Sequence, residues 1–186
     1  QTKFAQKFII GGGLETKFLK IYSKQVGGSN IIYENSTYFS GFGNIKYDSF
    51  DNKFFPKKGW FFNGDVQYFA ASSNFSKTFN NFTILKGAAG ITKTVFKRFN
   101  LNVQSEAGMS IGESSVPFLN FALGGYGFQT INNFVHFYGY DFLSISADSY
   151  IKSSATLDIE FYKKNHINFS TNIANVENKL FSSGNW

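Results

Sequence analysis

The sequence contains no cysteine, and this absence excludes several kinds of chemistry at once. Without a thiol, the chain of 186 residues can form no disulfide scaffold, no thiolate metal site and no cysteine nucleophile. It also has only two prolines and one methionine. No stretch of this sequence approaches the roughly 18 consecutive apolar residues that a helical membrane span needs, so a helical span within it is excluded.

Aromatic residues are abundant instead. Phenylalanine accounts for 25 residues and tyrosine for 10, and aromatic side chains make up 20% of the chain. Such side chains are enriched in β-strands because they pack well on a pleated, half-buried surface. The composition therefore favours strands over helices, and no segment requires a helix.

The stretch over residues 143–161 alternates between apolar and polar residues along almost its whole length. Successive side chains of a strand point to opposite faces, so the alternation predicts one strand with an apolar face and a polar face. The predicted apolar face holds Leu143, Ile145, Ala147, Ile151, Ala155, Leu157, Ile159 and Phe161. The predicted polar face holds Asp148, Lys152, Asp158 and Glu160. A tilted strand needs only roughly 10 residues to cross a bilayer, so this one is long enough.

The same alternation recurs in other segments. It is clear over residues 60–70, 101–112 and 166–173, although Phe61 and Phe69 interrupt the polar face of the first. Glycines blur it in three longer segments, residues 3–24, 31–48 and 78–96. We therefore predict an all-β fold, an antiparallel transmembrane β-barrel of which about seven consecutive strands are present.

Connection lengths orient these strands. Residues 97–100 and 162–165 form tight polar turns. Successive connections of an antiparallel barrel lie at alternate ends of the strands, so the connection over residues 51–58 lies on the same side as these turns. Outer-membrane barrels have short turns on the periplasmic side and longer loops outside. The connections near residues 27–29 and 72–74, and the long one over about 114–141, are therefore predicted to be external.

Seven strands cannot close a barrel, because bacterial single-chain barrels have an even strand number and lipid tolerates no open sheet edge. We therefore expect residues 1–186 to be one outer-membrane barrel segment that is incomplete at both ends. The opening residues carry no signal-peptide pattern. Because a barrel reaches the outer membrane only by export, the gene product is expected to begin upstream of Gln1.

The chain is basic, with a formal net charge of +6 and a pI near 9.4. Its basic residues are scattered or lie in turns, unlike the basic, aromatic-interleaved groove of a nucleic-acid-binding protein, so no nucleic-acid partner is expected. Lysines in turns would instead be attracted to anionic headgroups. The predicted partners are outer-membrane lipid and lipopolysaccharide, with other outer-membrane or periplasmic proteins.

Two segments resemble a known family. The first is Tyr-Asp-Ser-Phe-Asp-Asn-Lys-Phe-Phe-Pro-Lys-Lys-Gly at residues 47–59, which resembles the turn signature of the bacterial surface antigen barrel superfamily. The second joins Phe-Ala-Leu-Gly-Gly at 121–125 to Phe-Tyr-Gly-Tyr at 137–140, and resembles that superfamily's inward-folding external loop. The structural motif positions that this resemblance implies are Asp48, Asp51, Pro56, Gly59, Gly124, Gly125, Gly139 and Tyr140.

The resemblance also implies a barrel of about sixteen strands, within the range known for outer-membrane barrels. The superfamily contains outer-membrane insertases, two-partner secretion transporters and the barrels of some patatin-like phospholipases. Insertases and transporters usually place an arginine where this chain has Tyr138, and a phenol cannot match a guanidinium in binding lumenal carboxylates such as Asp148 or Asp158. In Phe-Tyr-Gly-Tyr-Asp at residues 137–141 and the Lys-Lys-Asn-His turn at 163–166, the chain looks most similar to the barrels of patatin-like phospholipases of Bacteroidota.

Other motifs are weaker. Residues 108–112 fit Gly-x-Ser-x-Gly, the motif of a nucleophile elbow, which requires a strand, a sharp turn and then a helix. Here Ser110 belongs to an alternating strand, and no helix pattern follows it. His136 and His166 are predicted to be loop and turn residues without metal-ligand spacing. We identify no catalytic, cofactor-binding or metal-ligating residue in this chain.

The lumenal charges, Asp148, Lys152, Asp158 and Glu160, fit either a selectivity lining or the paired polar filling of a plugged barrel. Trp60 beside Lys57 and Lys58 fits an interfacial anchor, with an ordinary solvated strand end as the alternative.

Several functions follow from these observations. The leading hypothesis is a barrel that anchors, and serves as an export route for, a patatin-like phospholipase domain. The alternatives are an insertase or secretion transporter of the same superfamily, a passive pore, and a soluble sandwich or lipid-binding barrel.

Overall fold

A computed structural model describes residues 2–4, 7–24, 31–73, 79–112, 119–126 and 133–177. Within these ranges the chain is all-β, and no helix is long and apolar enough to cross a membrane. The strands are β1 (Thr2–Phe4), β2 (Phe8–Ser23), β3 (Ile31–Asp48), β4 (Lys58–Ser72), β5 (Phe82–Phe96), β6 (Phe99–Ile111), β7 (Phe121–Leu123), β8 (Phe134–Val135), β9 (Ile145–Ala147), β10 (Ser149–Tyr162) and β11 (Asn165–Glu177).

The long strands form one antiparallel sheet in the order β1-β2-β3-β4-β5-β6-β10-β11. Seven of its strands are 13 to 18 residues long. Within the described residues the edge strands β1 and β11 do not pair with each other, so this sheet is open. The predicted all-β architecture, seven long antiparallel strands forming part of a larger barrel, is confirmed.

Three short connections lie at one end of the sheet, which we call the turn end. They join β3 to β4 over residues 49–57, β5 to β6 through Lys97 and Arg98, and β10 to β11 through Lys163 and Lys164. The predicted positions of these turns are confirmed. The predicted connection near residues 27–29 lies outside the described residues. So do residue 74 of the second external connection and residues 114–118 and 127–132 of the third.

The sheet has two chemically different faces. Leu157 of β10 lies directly opposite Leu101 of β6 and Phe169 of β11, so its apolar face continues across neighbouring strands. We call this the outer face, and no other part of the described chain covers it. Its exposed apolar side chains include Leu14, Phe18, Trp60, Phe62, Val66, Ile91, Leu101, Val103, Phe161, Ile167, Phe169 and Ile173. The opposite, inner face carries the predicted polar residues, among them Lys152 and Asp158.

The prediction of a single strand over residues 143–161 was wrong at its beginning. Strand β10 begins at Ser149, whereas Ile145–Ala147 form β9, which pairs with β7 in a separate sheet. Leu143 precedes β9 with a positive φ of 52°. Leu143, Ile145 and Ala147 therefore do not line the outer face. Alternation shows that a segment has two environments, but it does not show which sheet the segment joins.

The predicted segment over residues 3–24 was also wrong as one strand. It contains β1 and β2, which form an antiparallel pair in which Thr2 lies opposite Ile10. The segment over 78–96 begins later than predicted, because β5 starts at Phe82.

A small sheet in the order β8-β7-β9 packs on the inner face of the large one. The buried core lies between the two sheets and consists of Tyr38, Phe69, Phe82, Ile84, Phe121, Leu123, Val135, Phe137 and Tyr150. Phe69 stacks on Phe82 with ring centroids 4.5 Å apart. An aromatic residue that interrupts the polar pattern of β4 thus forms part of this core.

Candidate functional site

The candidate site is the inner face together with the chain that lies on it. We call residues 119–126 and 133–147, which carry β7, β8 and β9, the inward segment. Its Phe121 ring contacts the Tyr150 ring of β10, with centroids 4.9 Å apart. Both rings lie over Gly108 of β6, where a Cβ would come within 2.5 to 2.7 Å of their atoms. Gly108 therefore provides the space in which the inward segment packs on the wall.

The two halves of the second motif meet inside the inward segment. Phe137 donates its N–H to the carbonyl of Gly125 at 3.2 Å, and Gly125 donates to the carbonyl of Tyr140 at 3.0 Å. Gly124 has a φ of +136°, and a Cβ there would clash with the carbonyl of Asp141. Gly139 has a φ of +91°, which requires glycine by conformation alone.

A buried ion pair joins this segment to the wall. Lys152 of β10 lies directly opposite Glu106 of β6, and their charged groups are 2.5 Å apart. The Lys152 side chain is only 2% exposed, and its Nζ donates to the carbonyl of His136 at 2.9 Å. The buried cation is therefore neutralised by one wall strand while it binds the backbone of the inward segment.

Tyr138 is held through its backbone. Its N–H donates to Oδ1 of Asn172 in β11 at 2.9 Å, and the Asn172 amide donates back to the Tyr138 carbonyl at 3.4 Å. The carboxylate of Asp158 has other partners, at the turn end. The structure thus brings Lys152, and not Asp158, to the inward segment.

The first motif builds the β3–β4 turn. The Asp51 carboxylate accepts the N–H groups of Lys57 and Lys58 at 2.9 and 3.2 Å, and Asp48 accepts that of Phe50 at 2.8 Å. Desolvation raises the pKa of Asp51, but the backbone hydrogen bonds from Lys57, Lys58 and its own N–H, together with the charge of Lys58, hold that pKa below its ordinary value. Asp48 and Asp51 therefore satisfy backbone donors that the turn leaves unpaired.

Gly59 closes this turn against the opposite strand. Its φ is +122°, and a Cβ there would lie 2.6 Å from the Ser49 carbonyl oxygen. Ser49 and Trp60 exchange hydrogen bonds through the Ser49 hydroxyl at 2.8 and 2.9 Å. Pro56 is half-buried in the same turn.

The β3–β4 turn reaches across the inner face to strands that are distant in the sheet. The Phe55 ring stacks on the His166 ring of β11, with centroids 3.9 Å apart and an angle of 15°. Strands β4 and β11 are four places apart, which on a flat sheet is about 19 Å. The contact therefore requires the turn to fold over the inner face of a curved sheet.

Polar contacts support the same crossing. His166 Nδ1 lies 2.9 Å from Asp158, which also accepts from Asn100 at 3.1 Å. Lys57 pairs with Glu160 at 3.1 Å. Three of the predicted lumenal charges therefore divide into two groups: Lys152 of β10 contacts the inward segment, and Asp158 and Glu160 lie under the turn. Asp148 contributes its backbone carbonyl, which accepts from Ser110.

Some residues of the site were not predicted. Glu106 and Asn172 lie on faces that the alternation of residues predicted to be polar. Their partners lie in the inward segment, and alternation within the strands does not predict where that segment runs. His166, predicted as a turn residue, lies in β11. Ser110 lies within β6, as expected. In the described part of the chain no three histidine or acidic side chains cluster in a way that could hold a metal.

Comparison with known proteins identifies the family. The family model of the OMP85 superfamily matches residues 1–186. No curated protein matches the chain.

Proposed function

The chain belongs to the OMP85 superfamily and is a β-barrel protein of the bacterial outer membrane, and on this premise we propose that it anchors an attached domain at that membrane. The outer face then contacts lipid and the inner face encloses the lumen. The residues of this chain supply attachment to the membrane and no chemistry of their own.

The observation that supports an anchor is the packing of the inward segment on the inner face. Phe121 and Leu123 are fully buried against the wall, and Lys152 binds the segment with its charge neutralised by Glu106. Removing one partner from a buried ion pair typically costs about 3–5 kcal/mol. A lumen held closed in this way suits a static anchor better than an open pore.

We propose a patatin-like phospholipase as the anchored domain, and the barrel as its export route. The support is the resemblance of residues 137–141 and 163–166 to barrels of such enzymes, together with Tyr138 at the position where insertases and transporters usually have arginine. The anchoring contacts agree with this substitution, because the cation lies on β10 and Tyr138 contributes backbone groups.

The test uses the full gene product. It should sediment with the outer membrane, migrate differently on a gel when unheated, and hydrolyse phospholipid in that fraction. Deleting residues 1–186 should move the hydrolase activity to the soluble fraction. A full-length protein without phospholipase activity would refute the attached enzyme, while its gel shift would still support the barrel.

An insertase or secretion transporter is the second candidate, and superfamily membership itself favours it. Its partners would be other outer-membrane or periplasmic proteins. Upstream sequence separates the two candidates, because tandem small periplasmic repeats favour this one and a second Gly-x-Ser-x-Gly with a glycine-rich oxyanion segment favours the first. Insertion of a client barrel by the purified protein in liposomes would establish it.

A further inference from the structure

Basic side chains concentrate at the turn end of the sheet. Its exposed cations are Lys7, Lys53, Lys57, Lys58, Lys93, Lys97, Arg98, Lys163 and Lys164. These nine cations outnumber the carboxylates nearby, which are those of Asp48, Asp51, Asp158 and Glu160. This end of the protein therefore carries a strong positive charge.

Two of these lysines face each other directly across adjacent strands. Lys58 of β4 lies directly opposite Lys93 of β5. This pair is two residues along each strand from the outer-face pair of Trp60 and Ile91, and therefore lies on the same face. The Asp51 carboxylate binds the Lys58 backbone N–H and is close enough to interact with the Lys58 charge. Within the described residues, however, neither lysine has a carboxylate within 4 Å of its ammonium group. Like charges directly opposite in a sheet are destabilising. We call Lys58 and Lys93 the basic pair.

An apolar surface begins next to the basic pair and runs toward the middle of the strands. Trp60 is 49% exposed and Ile91 is 56% exposed, and Leu101 lies directly opposite Lys93 on the other side. The Tyr47 ring packs on Trp60 at 4.2 Å. An anionic group bound between the lysines would therefore be followed, along the same face, by surface suited to a hydrocarbon chain.

We propose that the basic pair binds the phosphate of an anionic phospholipid in the periplasmic leaflet, with its acyl chain along Trp60 and Ile91. The phosphate removes the repulsion between the two ammonium groups, and each lysine near an anionic lipid surface is stabilising. The proposal rests on the proposed membrane placement, in which short turns face the periplasm.

The position of the pair favours lipid over the other anionic partners. An acidic protein would bind the tips of the turns, such as Lys53 and Lys163, and would not need lysines that adjoin the apolar outer face. Lipopolysaccharide carries phosphates too, but it occupies the opposite leaflet, beyond the other ends of the strands.

The test compares two double variants of the full-length protein in detergent. K58Q/K93Q removes the basic pair. K20Q/K24Q is a matched charge control that removes two exposed lysines, Lys20 near the far end of β2 and Lys24 just after it. Bound phosphatidylglycerol is measured by native mass spectrometry, with lipid A titrated in parallel. The K58Q/K93Q variant should bind phosphatidylglycerol roughly tenfold to thirtyfold more weakly, whereas K20Q/K24Q should bind it as the unaltered protein does.

Folding is checked by the gel shift of unheated samples. K58Q/K93Q should keep that shift, because it removes a repulsion from the sheet. Equal phosphatidylglycerol affinity in both variants, or tighter binding of lipid A than of phosphatidylglycerol at this pair, would overturn the inference. Loss of the shift in the unaltered protein would instead refute the barrel itself, so the two failures are distinguishable.

Discussion

At the scale of single residues, Gly108 determines how closely the inward segment approaches the wall. We predict that Gly108→Ala weakens docking of this segment by about 1–3 kcal/mol, the usual cost of overpacking, because its Cβ would meet the Phe121 and Tyr150 rings within 2.7 Å. The measurement is the rate of chymotrypsin cleavage inside the segment, with fragments identified by mass.

Gly87→Ala is the matched control for this variant. Gly87 lies on the neighbouring strand β5, and its Cβ would meet nothing closer than 3.9 Å. Equal cleavage rates in the two variants would show that Gly108 does not control the docking.

His136 makes the docking of the inward segment depend on pH. Burial, and then the charge of Lys152, lower the pKa of His136 below 6.5, while Glu106 opposes the shift. The docked segment therefore favours neutral imidazole, and its stability is complete above pH 6.5 and decreases as the pH falls below that value. The loss is at most about 1.4 kcal/mol for each pH unit.

We predict that chymotrypsin-like cleavage of the segment accelerates from about pH 7.5 to about pH 5.5, measured with a protease of known pH profile. H136Q should remove most of this acceleration. H166Q should retain it, because His166 lies under the β3–β4 turn. An acceleration that survives in H136Q would contradict the assignment.

Residue roles were predictable only where they depend on local sequence. Asp51 and Gly59 act within a single turn, so a motif could identify them. Glu106 with Lys152, and Phe55 with His166, depend on contacts between distant segments, which neither alternation nor motif spacing encodes. Phe61 and Phe69, which interrupt the polar face of β4, could have predicted where other parts of the chain pack on the inner face. Phe61 packs near Phe50 of the turn and Phe69 packs in the core, so each interruption of a polar face marks a place where chain lies on the wall.

At the scale of elements, the long strands were predictable because the two faces of each strand lie in different environments, one apolar and one polar. The alternation over residues 60–70, 101–112 and 166–173 lies within β4, β6 and β11 except for Gly112, which follows β6. The exception was the start of the strand predicted over residues 143–161, where residues 145–147 keep the alternation but form β9 in the small sheet. A period of two is local, whereas the choice of sheet depends on tertiary packing.

The β3–β4 turn is an element whose contribution can be measured. We predict that Phe55→Ala lowers the free energy of unfolding by at least about 0.5–1.5 kcal/mol, because it removes the stack on His166. The midpoint of the heat-induced gel shift should decrease accordingly.

Phe54→Ala is its control, since the neighbouring Phe54 is 77% exposed. This variant should change stability by less than about 0.5 kcal/mol. Equal midpoints for the two variants would show that the turn does not brace the sheet.

The inward segment is predicted to keep the lumen closed through Lys152. Lys152→Met leaves Glu106 without its partner and removes the donor to the His136 carbonyl. It should weaken docking by up to about 3–5 kcal/mol and increase the frequency of open-channel events of the full-length protein in planar bilayers.

The double variant K152M/E106Q should recover part of this loss, because it leaves no lone buried charge. A conductance that is unchanged in K152M would contradict the proposed role of Lys152.

At the scale of the whole molecule, the outer face of the sheet is predicted to contact lipid and the inner face to line the lumen. The open sheet of the described residues needs further strands to complete a barrel, since lipid tolerates no unpaired edge. Family membership and the continuous apolar outer face both agree with this arrangement.

The most direct test uses the absence of cysteine from this chain. Single cysteines at Ser153, Ser154, Ala155, Thr156 and Leu157 of β10 would each carry an environment-sensitive fluorophore in the protein reconstituted into bilayers. Lipid-attached nitroxides should quench positions 153, 155 and 157 and should leave 154 and 156, which face the lumen, unquenched. Equal quenching at odd and even positions, or lipid contact at the even ones, would contradict the account.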